Sequence, residues 1–169
     1  SAAGQPTWRP PQELLEAVDE ALARRVAENV LVSLGPGGAL LALSGDSVGS
    51  VSSAYEFDAE LLLAGLEGAP AGVPPLKIEI APSEAAQGRR LWYRLTRPLE
   101  SVLDVTGAGD ALLAGTAHAF VSGWPLERAV VAGLLCAHLT LFASGAIAPC
   151  LSARLFQRLQ VAVDGGSRL

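Results

Sequence analysis

Residues 30–43 read VLVSLGPGGALLAL. Two apolar runs, Val30 to Leu34 and Ala39 to Leu43, flank Gly35-Pro36-Gly37-Gly38. Proline fixes φ, and glycine takes positive φ without a steric cost, so these four residues predict a tight turn. The spacing therefore predicts a β-hairpin over 30–43 whose first strand is of the buried type. Such a hairpin needs a core to sit on. Half of the 169 residues are hydrophobic, so the chain can supply one. Only 17% are charged, against about 25% in an average soluble domain. That balance predicts a piece of a larger core, with one face made for another segment.

Elsewhere the pattern alternates between strand and helix signals. Leu14, Leu15, Val18, Ala21, Leu22 and Val26 recur at helical spacing, which predicts a helix over 12–29, after a Pro-rich lead-in at 1–11. Residues 44–53 are Ser/Gly-rich and read as a loop; 55–66 has mixed character and fits no single element. A Pro/Gly linker follows at 68–75. Leu76-Lys77-Ile78-Glu79-Ile80 alternates as a half-buried strand does, and 91–95 reads as another strand, with a polar turn at 82–90 between them. Three helices are predicted after that: 111–121, 125–142 with proline in its first turn, and 151–163. Residues 164–169 form a tail. Strands fill the first two thirds and helices the last, with glycine turns between, which is an α/β layout in one domain over 1–169.

Charge and composition narrow the function. The net charge is −5, and the single lysine, Lys77, belongs to no basic stripe, which argues against a nucleic-acid partner. No apolar run reaches the ~18 residues that span a bilayer, so no membrane partner is expected, and a cytoplasmic location is. Cys136 and Cys150 lack metal-type spacing and read as free, buried thiols. The sequence holds no methionine at all, which reads as a processed or excised chain of a longer protein.

The stretch that points to chemistry is Asp104-Val105-Thr106-Gly107-Ala108-Gly109-Asp110, followed by a helix-forming run. Small residues let backbone approach a ligand, and a new helix offers unpaired N–H groups to an anion. Asp110 at that mouth has two readings. It can cap the helix, or it can accept a proton from a hydroxyl that attacks a phosphate held by the amides. The motif is neither a P-loop, lacking Gly-Lys-Ser/Thr, nor a dinucleotide fingerprint, with Leu112 in place of the third glycine.

DVTGAGDALLAG resembles the C-terminal signature of the ribokinase (PfkB) family of sugar and nucleoside kinases. Val30 to Leu41 is similar to that family's strand–turn–strand at the nucleotide, and Ser144-Gly145-Ala146 after a late helix is similar to its Gly-Ala turn. The resemblance implies the C-terminal part of a ribokinase-like three-layer α/β/α sandwich. It implies an ATP-dependent phosphotransferase acting on a primary hydroxyl of a sugar or nucleoside. Asp110 then corresponds to the catalytic base and Gly107, Ala108 and Gly109 to the anion hole. Ser33, Gly35 and Gly38 correspond to the nucleotide-contacting turn, and Asp104 and Thr106 to cation-site contacts. ATP, Mg²⁺ and a monovalent cation such as K⁺ are the implied cofactors. Val105, where threonine is frequent, is similar to the pseudouridine-kinase branch and makes pseudouridine the first substrate expectation. The family's chains are about twice as long, and their N-terminal half supplies the substrate side. Association with such a half, or between copies, is therefore expected. The alternative is a nucleotide-binding or interaction module without activity, from a truncated or degenerate kinase.

Other residues have plainer readings. His118 and His138 lack partners at metal-ligand spacing, and Trp8, Trp92 and Trp124 read as packing anchors. Arg89, Arg90, Arg94 and Arg97 read as a solvated hairpin face rather than a phosphate contact.

Overall fold

The computed structural model describes residues 9–45, 52–83, 88–96 and 102–164. Helix α1 spans Gln12–Ala23, strand β1 Asn29–Ser33, β2 Ala39–Leu43 and β3 Ala54–Phe57. A short helix, α2, covers Ala59–Leu63, and β4 and β5 cover Leu76–Ser83 and Arg89–Leu95. Helices α3, α4 and α5 span Ala108–Val121, Leu126–Leu141 and Ala153–Asp164. The expected 1–11 lead-in, 44–53 loop, 82–90 turn and C-terminal tail lie partly or wholly outside the described residues, as do Trp8 and Arg97.

The five strands form one sheet in the order β1-β2-β5-β4-β3, and every pairing is antiparallel. The predicted hairpin is present, with Ser33 opposite Ala39 and Asn29 opposite Leu43. Strand β2 is buried at all five residues. Alternation explains this: Leu40 and Ala42 face α1, while Ala39, Leu41 and Leu43 face the large core under the other helices. The sheet is thus covered on both sides, giving three layers, α/β/α. The mixed α/β class read from the sequence is the fold observed.

Helix α1 stops at Ala23, six residues earlier than its apolar spacing predicts. Arg25 takes a φ of 55°. The Arg25 N–H then donates to the Leu22 carbonyl at 3.0 Å and the Val26 N–H to the Ala21 carbonyl at 2.9 Å. That is a Schellman stop, built on arginine instead of the usual glycine. Val26 consequently lies 75% exposed. The unassigned 55–66 stretch divides into β3 and α2 at Asp58, whose Oδ1 accepts the Leu61 N–H at 3.2 Å as an N-cap.

Of the β5 arginines, Arg94 is exposed, as on a solvated face, but Arg90 is not. Arg90 is 7% exposed and pairs with Asp19 of α1 at 3.5 Å, fastening that helix to the sheet. Arg94 pairs with Glu79 at 2.7 Å and lies 5.3 Å from the Trp92 ring centroid. Both cysteines are free and buried, as expected.

Helices α3 and α4 pack face to face through small residues. Ala111, Gly115 and Ala119 of α3 are buried at four-residue spacing. A Cβ added to Gly115 would lie 2.7 Å from Cys136 Sγ, and one added to Gly133 would overlap Thr116 Oγ1. The opposite side of α3 exposes Leu113, Phe120 and Val121. Trp124 and His138 are buried packing residues, and His118 rests on Phe156 with ring centroids 4.3 Å apart.

Candidate active site

The site forms where α3 begins and α4 ends. Gly107 is the N-cap of α3, with a φ of 79° and no side-chain cap bond at the helix start. Its Cα lies against the turn after α4, where an added Cβ would overlap the Ala146 carbonyl oxygen. Glycine is needed there twice, for the left-handed backbone and for the close approach. The Leu103 N–H donates to the Leu141 carbonyl at 2.9 Å, tying the incoming segment to the same end of α4. The first and third motifs singled out in the sequence are therefore neighbours in space.

Asp110 occupies the third position of α3 and is exposed. Its carboxylate makes no hydrogen bond or ion pair among the described residues. The cap of α3 is Gly107, and Asp110 has no hydrogen-bond or ion-pair partner among the described residues. The Ala111 N–H closes the first helical bond on the Gly107 carbonyl at 2.8 Å, and the Ala108 N–H donates to the Val105 carbonyl at 3.3 Å. This leaves the Gly109 and Asp110 N–H groups without a backbone partner among the described residues. The space at Gly109 is open, since an added Cβ there meets nothing within 4 Å. Two free amides, an open approach and the positive end of a helix dipole suit an anion.

Asp104 and Thr106 lie just ahead of the cap, and both are exposed. Asp104 Oδ1 accepts the Thr106 N–H at 2.8 Å. That bond, followed by one from the Thr106 side chain, holds the Asp104 carboxyl below the usual carboxylate range. Among the described residues no three His, Cys, Asp or Glu side chains converge on a metal position.

Ser33, Gly35 and Gly38 sit at the end of β1 and in the hairpin turn. Gly38 has a φ of 93°, and an added Cβ would overlap the Tyr93 carbonyl oxygen. The Trp92 Nε1–H donates to the Gly37 carbonyl at 3.1 Å. This turn is thus fixed by β5, whereas the 104–110 segment is fixed by α4. No hydrogen bond joins the two among the described residues. Gly35 remains exposed, with open space where a side chain would be.

The sequence reading missed the Asp104–Thr106 bond and the role of Ala146 as the seat of Gly107. The signal for the first was present: an aspartate two residues before an N–H that precedes a glycine turn is a common Asx-turn pattern.

Residues 85–154 match the model of the pfkB family of carbohydrate kinases. The matched segment contains the whole of 104–110, together with α3, α4 and the turn behind them, and is less than half of the chain. Among solved structures, the chain is similar to a "putative sugar kinase" from Clostridium perfringens, at 18% identity and a TM-score of 0.49. That similarity covers 90% of this chain and 34% of the other, so the chain spans about a third of that protein's length. No curated protein matches this chain.

Proposed function

We propose that the protein of which this chain is part is an ATP-dependent phosphotransferase acting on a primary hydroxyl of a sugar or nucleoside. The observation that carries the reading is the state of Asp110. It is an exposed carboxylate at a helix start, beside two N–H groups without a backbone partner, and has no partner of its own among the described residues. The family match over 85–154 supports carbohydrate-kinase chemistry in general. In this reading Asp110 accepts the proton of the attacking hydroxyl. The Gly109 and Asp110 amides, with the Gly107 turn that aims them, stabilise charge on the transferring phosphoryl group. ATP supplies the phosphoryl group, and Mg²⁺ carried on its phosphates neutralises charge there. The Ser33, Gly35 and Gly38 turn is the proposed nucleotide contact. Asp104 and Thr106 are the proposed neighbours of a monovalent cation. Val105 favours a nucleoside of the pseudouridine type as the first substrate to try.

The test uses the longest natural form of the chain, assayed for ATP-dependent phosphorylation of a panel of nucleosides and sugars. Asp110→Asn is expected to lower kcat by about 10²–10⁴-fold, the usual contribution of a positioned general base. Because none of the described residues bonds to Asp110, the same change should alter stability by less than about 1 kcal/mol, the scale of a charge at a helix terminus. Mg-ATP binding without any phosphorylation would favour the non-catalytic nucleotide-binding module. Undiminished turnover in Asp110→Asn would remove Asp110 from the chemistry.

A further inference from the structure

The position of Asp110 depends on where α3 starts, and three contacts set that point. Gly107 seats on the Ala146 peptide, and the Leu103 N–H bonds to the Leu141 carbonyl. Asp104 Oδ1 accepts the Thr106 N–H at 2.8 Å. The first two are made by backbone. The third alone depends on a side chain, and it closes the chain immediately before the one left-handed residue of the segment.

We infer that Asp104 is a positioning residue whose carboxylate oxygen, acting as a hydrogen-bond acceptor, holds the 104–106 turn so that Gly107 enters its left-handed conformation and α3 begins at Ala108. The catalytic consequence rests on the function proposed above; the structural role does not. An Asx turn needs an oxygen on a short side chain, and asparagine supplies it as well as aspartate does. A cation ligand or an electrostatic group needs the negative charge, which asparagine lacks. The two roles therefore separate on one pair of variants. Without the turn, residues 104–106 gain freedom ahead of a glycine that already tolerates many conformations, and the helix start loses its fixed register.

The experiment compares Asp104→Ala with Asp104→Asn in the longest natural form of the chain. Two readouts are taken: the protection factor of the Thr106 amide in hydrogen exchange, and kcat and KM for ATP-dependent phosphorylation. Asp104→Ala is expected to abolish Thr106 protection and to lower kcat by up to about 10²-fold, the scale of a small misplacement of a catalytic group. KM for ATP should change far less. Asp104→Asn should restore Thr106 protection and recover most of the kcat lost in Asp104→Ala, leaving lost only the share that depends on the carboxylate's charge. Unchanged Thr106 protection in Asp104→Ala would overturn the turn-holding role. A kcat as low in Asp104→Asn as in Asp104→Ala, with Thr106 protected, would also overturn it and assign the residue a role through its charge. If the unmodified protein phosphorylates nothing, the proposed function fails, and the exchange measurement still decides the role of Asp104.

Discussion

Gly107 and Ala146 meet backbone to backbone, with no room for a Cβ between the Gly107 Cα and the Ala146 carbonyl oxygen. The contact joins the start of α3 to the turn after α4, so two segments far apart in sequence share one rigid corner. Gly107→Ala should cost about 3 kcal/mol, combining a left-handed conformation worth about 1–2 kcal/mol for alanine with a backbone overlap. For a domain of this size that is a fall in Tm of roughly 6–12 °C. Calorimetry showing no fall would mean that the corner is open.

Gly133 offers a test in which two effects have opposite sign. Helix propensity favours alanine over glycine by about 1 kcal/mol in a helix interior. At Gly133 an added Cβ would overlap Thr116 Oγ1 and lie 2.5 Å from the Leu112 carbonyl oxygen. The second neighbour is backbone of α3 and cannot rotate away. Packing should win, with Gly133→Ala losing about 1–3 kcal/mol, the usual cost of overfilling a packed interior. Denaturant unfolding decides, and a stabilised Gly133→Ala would show that α3 and α4 sit further apart.

His138 should make stability depend on pH on the acid side. Its Nε2 lies 2.9 Å from the Pro74 carbonyl and Nδ1 is buried without a partner. Burial lowers its pKa, and the Pro74 bond only partly opposes this. The unfolded chain then binds a proton near pH 6.5 that the folded chain refuses. Stability from this group is complete above about pH 6.5 and declines as the pH falls toward the lowered folded value. The slope approaches 1.4 kcal/mol per pH unit at most, the limit for one proton. Unfolding measured between pH 5 and 7.5 should show this slope in the unmodified chain and a flatter one in His138→Leu. Parallel slopes in the two would assign the pH dependence elsewhere.

The two thiols should be silent in the folded state. Burial pushes Cys136 up to about 12, and Cys150 is raised by the same cause. Only the thiolate reacts with a disulfide reagent. An aromatic disulfide reagent at pH 8 should therefore label neither cysteine in the native protein and both in guanidinium. Rapid native labelling would show that the α3–α4 interface or the 148–151 turn opens readily.

Much of the fold was legible in the sequence because its signals are local. The 30–43 hairpin follows from two apolar runs around a Gly-Pro turn, and the 76–80 strand from strict alternation. Helices α3, α4 and α5 follow from apolar periodicity between glycines and prolines. The glycine turn and the carboxylate at its mouth were equally legible, since their spacing lies within seven residues. Local pattern failed where a neighbour far along the chain decided. Helix α1 ends at Ala23 because Arg25, just beyond it, adopts a positive φ, which nothing in an arginine announces. Arg90 reads as solvated on a polar hairpin, yet α1 folds over it and brings Asp19 to it. The order β1-β2-β5-β4-β3 is set by which edges find each other, and no single strand carries that information. The sequence by itself determined that a glycine turn at 107–109 opens a helix with Asp110 at its mouth. Only the tertiary structure decided that Gly107 must be glycine against Ala146, and that Asp110 has no partner among the described residues. The first depends on the close approach of the turn after α4, and the energy of that contact exists only once the chain has folded.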